Sequence, residues 1–231
     1  RLIDRLGLRS DLRRLPLFGL GCVGGAAGIA RAADLLRGGG EIAVLLSVEL
    51  CSLTLQRGDR SVANLIASGL FGDGAAAVVL AGPARRPASP RVVATRSIFY
   101  PATERIMGWD VEDTGFRVVL SAEVPSLARE RLGGDVDRFL ADHGLRRADV
   151  ARWICHPGGP RVIEALEQAL KLPPDALAIT KRSLEEVGNL SSASVLFVLA
   201  DHLADAPPPG AHGVLLAMGP GFCSELVLLQ W

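Results

Sequence analysis

The chain has 231 residues, enough for one large domain or two small ones with a real core. Its 25 Lys and Arg are balanced by 25 Asp and Glu, so no basic surplus marks a nucleic-acid surface. Although 49% of the residues are hydrophobic, no apolar run reaches the roughly 18 residues that a membrane span needs. Four cysteines, Cys22, Cys51, Cys155 and Cys223, lack any C-x-x-C spacing, which argues against a zinc site or a disulfide framework and fits a reducing cytoplasm. No basic-then-apolar secretory signal opens the chain. The first residue, Arg1, falls inside a helix-like segment, so an N-terminal portion is expected to be missing.

In chain order, Leu2 to Leu15 reads as helix and loop. The apolar run Leu15 to Leu20 reads as a strand, turning sharply through Gly19-Leu-Gly-Cys-Val-Gly-Gly25 into a helix over Ala26 to Leu36. Gly38-Gly-Gly40 closes that helix, because glycine readily takes the left-handed cap conformation. Ile42 to Val48 is an apolar run of strand length ending at Glu49, and predicts a buried central strand. Val62 to Gly69 is helical in pattern, and Phe71-Gly-Asp-Gly74 turns into a second buried strand reaching Leu80. Pro83 to Pro90, with Arg85 and Arg86, has linker composition and is taken as the seam between two halves, 1–83 and 84–231.

Beyond the seam, Arg91 to Tyr100, Gly115 to Leu120 and Arg152 to Cys155 read as strands, and Pro125 to His143 and Pro160 to Leu170 as helices. Gly188-Asn-Leu-Ser-Ser-Ala193 opens a further helix running to Leu203. Gly213 to Met218 and Phe222 to Leu229 pair as a hairpin around Gly219-Pro-Gly221. Strands alternating with helices indicate a layered α/β fold.

Three residues stand at junctions between a regular element and a Gly-containing turn. Cys22 sits at a helix start, where the helix dipole favours a thiolate, yet a small buried Cys is equally ordinary there. His156 follows Trp-Ile-Cys at the C-terminal end of a strand, a usual place for chemistry in α/β folds, although a lone His in an apolar run is more often core. Asn189 is by itself a good helix N-cap. Together, a cysteine, an imidazole and an amide supply a nucleophile, a base and an oxyanion donor. His143, His202 and His212 are expected at the surface, Cys155 and Cys223 in the core, and Trp153 and Trp231 in packing. A rival fingerprint overlaps: Gly19-Leu-Gly-Cys-Val-Gly24 is a G-x-G-x-x-G, with Glu49 placed where a ribose-binding acid belongs.

The set Gly21-Cys-Val-Gly-Gly25, Leu70-Phe-Gly-Asp-Gly-Ala75, His156-Pro-Gly-Gly159, Gly188-Asn-Leu-Ser-Ser-Ala193 and Gly219-Pro-Gly221 resembles the type III polyketide synthases of the chalcone synthase superfamily, over nearly the whole chain and in family order. Phe18-Gly-Leu-Gly-Cys-Val23, Leu45-Leu-Ser-Val-Glu-Leu-Cys-Ser-Leu-Thr54 and Ala63-Asn-Leu-Ile-Ala-Ser-Gly69 most resemble the bacterial branch that makes long-chain alkylpyrones and alkylresorcinols. The resemblance implies a thiolase-like fold, layered α/β/α/β/α with two pseudo-equivalent halves, in a homodimer. It implies acyl-CoA and malonyl-CoA as substrates, with no further cofactor and no metal.

By motif, Cys22 would accept the acyl group, His156 would hold it as thiolate, and His156 and Asn189 would bind the thioester carbonyl during decarboxylation. Phe71 would gate the cavity. Cys51, Thr54 and Ser191 would line it, with Gly219 and Pro220 in the loop that shapes it. Two departures stand out: Ala217-Met-Gly-Pro-Gly221 replaces the common Gly-Phe-Gly-Pro-Gly, and the family's N-terminal CoA-binding and dimer-contacting residues are absent. The alternatives are a ketoacyl-carrier-protein synthase of the initiating type, which usually follows its His with Gln-Ala-Asn rather than Pro-Gly-Gly, a dinucleotide-binding oxidoreductase, and an inactive truncated paralogue.

Overall fold

In a computed structural model, the protein is described over residues 2–85, 90–113 and 115–231. Positions 86–89 of the expected seam lie outside the described residues. Helices are α1 (Leu2–Arg5), α2 (Gly24–Arg37), α3 (Val62–Leu70), α4 (Val124–Ala141), α5 (Pro160–Leu170), α6 (Ala178–Val187) and α7 (Ser194–Ala204). Strands are β1 (Ile42–Glu49), β2 (Gly74–Ala81), β3 (Arg91–Phe99), β4 (Met107–Glu112), β5 (Gly115–Leu120), β6 (Val150–Cys155), β7 (His212–Gly219) and β8 (Cys223–Gln230).

The main sheet has the order β3-β8-β7-β6, with β6 parallel to β7 and the other pairs antiparallel. Its central strands are near-continuous apolar runs because both faces are covered. Alternation sends Trp153, Cys155, Val214, Leu216, Leu226 and Leu228 to one face, against Leu132 and Phe139 of α4 and Ile163 and Leu166 of α5. Ile154, Leu215, Ala217 and Val227 go to the other face, against Ile29 and Ala30 of α2 and Val195 and Val198 of α7. The α2–α7 layer is covered in turn by the antiparallel pair β1–β2, whose Leu45, Ala76, Val78 and Leu80 face inward. Gly28 makes that contact possible, since a Cβ there would lie 2.5 Å from Leu45 Cδ1.

Three sequence expectations change. Leu15 to Leu20 forms no strand; its Phe18 is 83% exposed, and among the described residues β1 pairs only with β2, so no further strand is there to dock the run. For the same reason β1 is not a buried central strand: Val44, Leu46 and Val48 face outward, as does Val79 of β2, all more than half exposed. His202 is not at the surface. It is 4% exposed on α7, where burial pushes its imidazole down to about 4. Two elements escaped the sequence reading. The hairpin strand β4 alternates weakly and is tied by Arg117 to Asp110 and Glu112 (2.8 and 2.6 Å), and α6 is mostly polar, with Lys181, Arg182, Glu185 and Glu186 interrupting its apolar stripe.

Glu225 of β8 gives a test of core electrostatics. It is 8% exposed, accepts a hydrogen bond from the Ser97 hydroxyl, and leaves Oε2 buried without a partner. Burial raises its carboxyl above the ordinary range, against the opposing pull of Ser97 and Arg31. A carboxyl raised on folding costs nothing at low pH, where both states are protonated, and costs stability as pH climbs through its folded pKa. Glu225→Gln should therefore melt close to the parent near pH 4 and higher than it at pH 8, by roughly 2–4 °C. Thermal denaturation at the two pH values measures this; a gap that does not widen with pH would contradict it.

Candidate active site

Cys22 lies in a 3-10 turn, Gly21–Val23, that runs straight into α2. Gly21 has φ +49°, and a Cβ on it would sit 2.8 Å from Pro220 Cγ, so the turn packs directly on the loop between β7 and β8. Gly219 closes the same contact from below: its added Cβ would meet Leu20 O at 2.7 Å. Pro220 therefore reaches the cavity wall, whereas Gly219 is packed behind it.

A second 3-10 turn, Ser191–Ala193, opens α7 and faces the start of α2. Its path is set by the backbone of Asn189. The Asn189 N–H donates to Leu70 O (2.9 Å) and its carbonyl accepts from Gly72 N–H (2.9 Å), bridging Phe71 and Asn189 as two strands would. The Asn189 side chain holds two neighbours: Oδ1 accepts the Ser191 N–H (2.8 Å) and Nδ2 donates to Gly158 O (3.4 Å). Ser191 is held in the left-handed region at φ +52°, an uncommon state for a non-glycine residue and a frequent mark of functional turns.

His156 leaves the end of β6 with its N–H bonded to Leu216 O (2.8 Å). The ring is 5% exposed, and neither nitrogen has a hydrogen-bond partner among the described residues. Burial drives its imidazole down to about 4, so it rests neutral and available as a base. Asn189 ties the two turns together: its Nδ2 donates to Gly158 O, two residues beyond His156, and its Oδ1 accepts the N–H of Ser191, which shares the cavity wall with Cys22.

The expected electrostatics of Cys22 are reversed. Burial pushes its thiol up to about 12; Ser191 and Asn189 pull it down, while Glu49 and Cys51 push it further up. Loss of water from a residue 8% exposed outweighs the helix dipole. The resting pair is thus a neutral thiol and a neutral imidazole.

Cys22 opens onto a cavity of about 570 Å³, whose wall also holds Cys51, Thr54, Phe71, Ser191 and Pro220. His156 and Asn189 are not part of that wall. Cys51 is half-buried with its thiol raised to about 11, and Thr54 Oγ1 donates to Cys51 O (2.8 Å). The β4–β5 hairpin, which motif reading passed over, supplies Met107, Trp109 and Phe116 to the wall, with Phe116 edge-on to both Phe18 and Trp109 at 6.0 Å. Ser47 and Ser192 were given no role in the sequence reading, and Glu49 only that of a ribose-binding acid. The signal was present, since period-2 alternation along β1 puts Leu45, Ser47 and Glu49 on the inward face. Cys155 is core as expected; Cys223 is half-buried, its Sγ 3.3 Å from Pro220 O.

Comparison with known proteins settles the family. The description "Chalcone and stilbene synthases, N-terminal domain" matches residues 1–83 and "Chalcone and stilbene synthases, C-terminal domain" matches residues 91–231. The chain belongs to the chalcone and stilbene synthase family. It is 59% identical over 236 residues to a 1,3,6,8-tetrahydroxynaphthalene synthase of Streptomyces peucetius subsp. caesius, covering all of this chain and 62% of that protein. It is 36% identical to a 3,5-dihydroxyphenylacetyl-CoA synthase of Streptomyces toyocaensis, covering 61% of it. The crystal structure of 1,3,6,8-tetrahydroxynaphthalene synthase from Streptomyces coelicolor A3(2), a bacterial type III polyketide synthase, superposes with a TM-score of 0.94 at 35% identity, covering all of this chain and 66% of that one. The chain thus has the thiolase-like α/β fold of this chalcone synthase family and spans about 62% of its curated relative's length.

The dinucleotide reading falls with this. The glycine-rich turn follows no strand, and the start of α2 is closed to a pyrophosphate, because a Cβ on Gly25 would lie 2.2 Å from Ser192 O. Glu49 is engaged by the Ser192 hydroxyl instead of standing free for a ribose.

The neutral His156 is directly measurable. Its ring resonances, assigned by comparison with His156→Gln, should stay at the neutral position from pH 8 down to pH 5 and move only near pH 4 in NMR titration. A midpoint near 6.5 would show a solvated ring and contradict the geometry.

Proposed function

We propose that this chain carries the condensing centre of a type III polyketide synthase, an acyltransferase in which Cys22 is the acyl acceptor, His156 its base and Asn189 the carbonyl-binding donor. The observation that carries the reading is a buried thiol, Cys22, at the wall of a cavity of about 570 Å³ that Ser191 also lines, with Asn189 holding the Ser191 N–H. Cys22 attacks the acyl-CoA thioester carbonyl and its proton passes to His156. The CoA thiolate leaves and takes that proton, giving an acyl thioester on Cys22. Malonyl-CoA then loses carbon dioxide, and the electron pair left behind is held as an enolate whose oxygen accepts from the Asn189 amide and from His156. The enolate carbon attacks the acyl carbonyl and expels the Cys22 thiolate, leaving a chain two carbons longer on CoA. CoA thioesters suffice as substrates, and no other cofactor enters.

Burial serves this chemistry. It keeps the resting thiol protonated, and it excludes water from an acyl-enzyme and an enolate that water would destroy. The products named for the relatives, a tetrahydroxynaphthalene and a dihydroxyphenylacetyl-CoA, support a polyhydroxylated aromatic product built from malonyl units. The long-chain alkylpyrone or alkylresorcinol suggested by the sequence motifs is the second reading, favoured by the apolar wall that Leu17, Leu45, Leu55 and Trp109 give the cavity. We also propose a homodimer, as the outward apolar face of β1–β2 is a surface that water disfavours.

Intact mass after incubation with acyl-CoA tests the reading. The chain should gain the mass of the acyl group and Cys22→Ala should gain none. Malonyl-CoA alone should then give an aromatic product; product only with a long-chain acyl-CoA would select the second reading. A folded chain that no acyl-CoA acylates would refute the synthase proposal.

A further inference from the structure

The inward face of β1 changes character along its length. Leu45 packs on Gly28, and two residues on, Ser47 is buried at 6% exposure. Two further on, Glu49 ends the strand at the cavity wall. Across from these stands Ser192, in the turn that opens α7. The Ser47 and Ser192 hydroxyl oxygens are 2.8 Å apart, and the Ser192 hydroxyl donates to Glu49 Oε1. A carboxylate only accepts, so the order of protons is fixed: Ser47 donates to Ser192, and Ser192 donates to Glu49.

The rest of Ser192 is held as firmly. Its carbonyl occupies the space a Cβ on Gly25 would need, at 2.2 Å, and its Cβ stands 3.1 Å from the same point on Gly24. One residue thus touches β1 by its hydroxyl and the start of α2 by its backbone and Cβ. Ser191 precedes it, and Asn189 holds the Ser191 N–H.

We infer that Ser192 is a positioning residue for Cys22, clamping the turn that carries Ser191 and Asn189 to β1 and α2 through the Ser47–Ser192–Glu49 relay. It touches no substrate in this role; it fixes the turn whose Ser191 shares the cavity wall with Cys22 and whose Ser191 and Asn189 favour the thiolate. Glu49 is the anchor of the clamp and also a negative charge facing the same thiol. The groups that face Cys22 are therefore Ser191 and Asn189 on the α7 side, which favour the thiolate, and Glu49 of β1 and Cys51 of the following turn, which oppose it. Asp73 in turn opposes ionisation of Cys51, and His156 is buried and neutral.

The two ends of the clamp thus predict opposite effects. Ser192→Ala releases the turn, loosens the two donors and makes the thiol harder to ionise. Glu49→Gln keeps an oxygen for the Ser192 hydroxyl but removes the charge, and makes it easier to ionise. The inference rests on Cys22 being the reacting thiol, and alkylation reads that thiol without any acyl transfer.

The test is the rate of iodoacetamide alkylation of Cys22 at pH 8, followed by peptide mass, in variants checked by thermal melting. A shift of half to one pKa unit changes the thiolate fraction roughly three- to tenfold, so Ser192→Ala should react slower by that factor and Glu49→Gln faster. If Ser192→Ala does not fold, Ser47→Ala takes its place and should also react slower. An unchanged rate in the serine variant, or serine and glutamate variants moving the same way, would overturn the clamp. Opposite shifts in a protein that no acyl-CoA acylates would instead leave the clamp standing and overturn the synthase proposal.

Discussion

A single close approach governs this structure: the start of α2 against the turn that opens α7, where Gly25 meets the Ser192 carbonyl at a distance no side chain allows. From the first half comes Cys22, on the turn before α2. From the second come Asn189 and Ser191, on the turn before α7. The two helices then run side by side between the main sheet and the β1–β2 pair. Moving them apart by the width of a methyl group would disturb both the turn that carries Ser191 and the core that Ile29, Ala30, Val195 and Val198 form between the sheets. Glycine here supplies absence of volume, a different service from the positive φ it supplies at Gly21.

Burial at this contact has a chemical consequence. A thiol at a helix start is often taken as an activated thiolate, but Cys22 has lost its water and gained only two neutral donors, with Glu49 opposed. Desolvation wins. The site therefore rests with a neutral thiol at Cys22 and a neutral imidazole at His156.

The main sheet and its helices were legible because their residues obey simple periods. The hairpin of β7 and β8 around Gly219-Pro-Gly221, the helix behind Pro160 and the strand ending at Cys155 all stand where alternation and turn chemistry put them. Motif order also picked out Cys22, His156 and Asn189 as a set; in the structure Asn189 bonds Gly158, two residues beyond His156, and Ser191, which shares the cavity wall with Cys22. What stayed hidden depends on neighbours. β1 has the composition of a two-sided strand, but only one face is covered, so Val44 and Leu46 point outward. Leu15 to Leu20 has the composition of a strand with nothing to pair it. The Ser47–Ser192–Glu49 relay joins residues more than 140 positions apart, and no local pattern announces it. The direction of the Cys22 shift followed from depth of burial, which a helix-start rule does not contain.

The claim that this glycine contact assembles the site is tested most directly by Gly25→Ala, with Gly69→Ala as control. Both positions are helical and both substitutions favour helix intrinsically, by roughly 0.5–1 kcal/mol. Gly69, however, has nothing within 4 Å of its added Cβ. Thermal melting and Cys22 alkylation on the same samples read fold and site together. The account predicts that Gly69→Ala melts at or above the parent with Cys22 unchanged, while Gly25→Ala melts several degrees lower and its Cys22 alkylation rate departs from the parent's. A Gly25→Ala protein as stable as the control, with Cys22 reacting at the parent's rate, would contradict it.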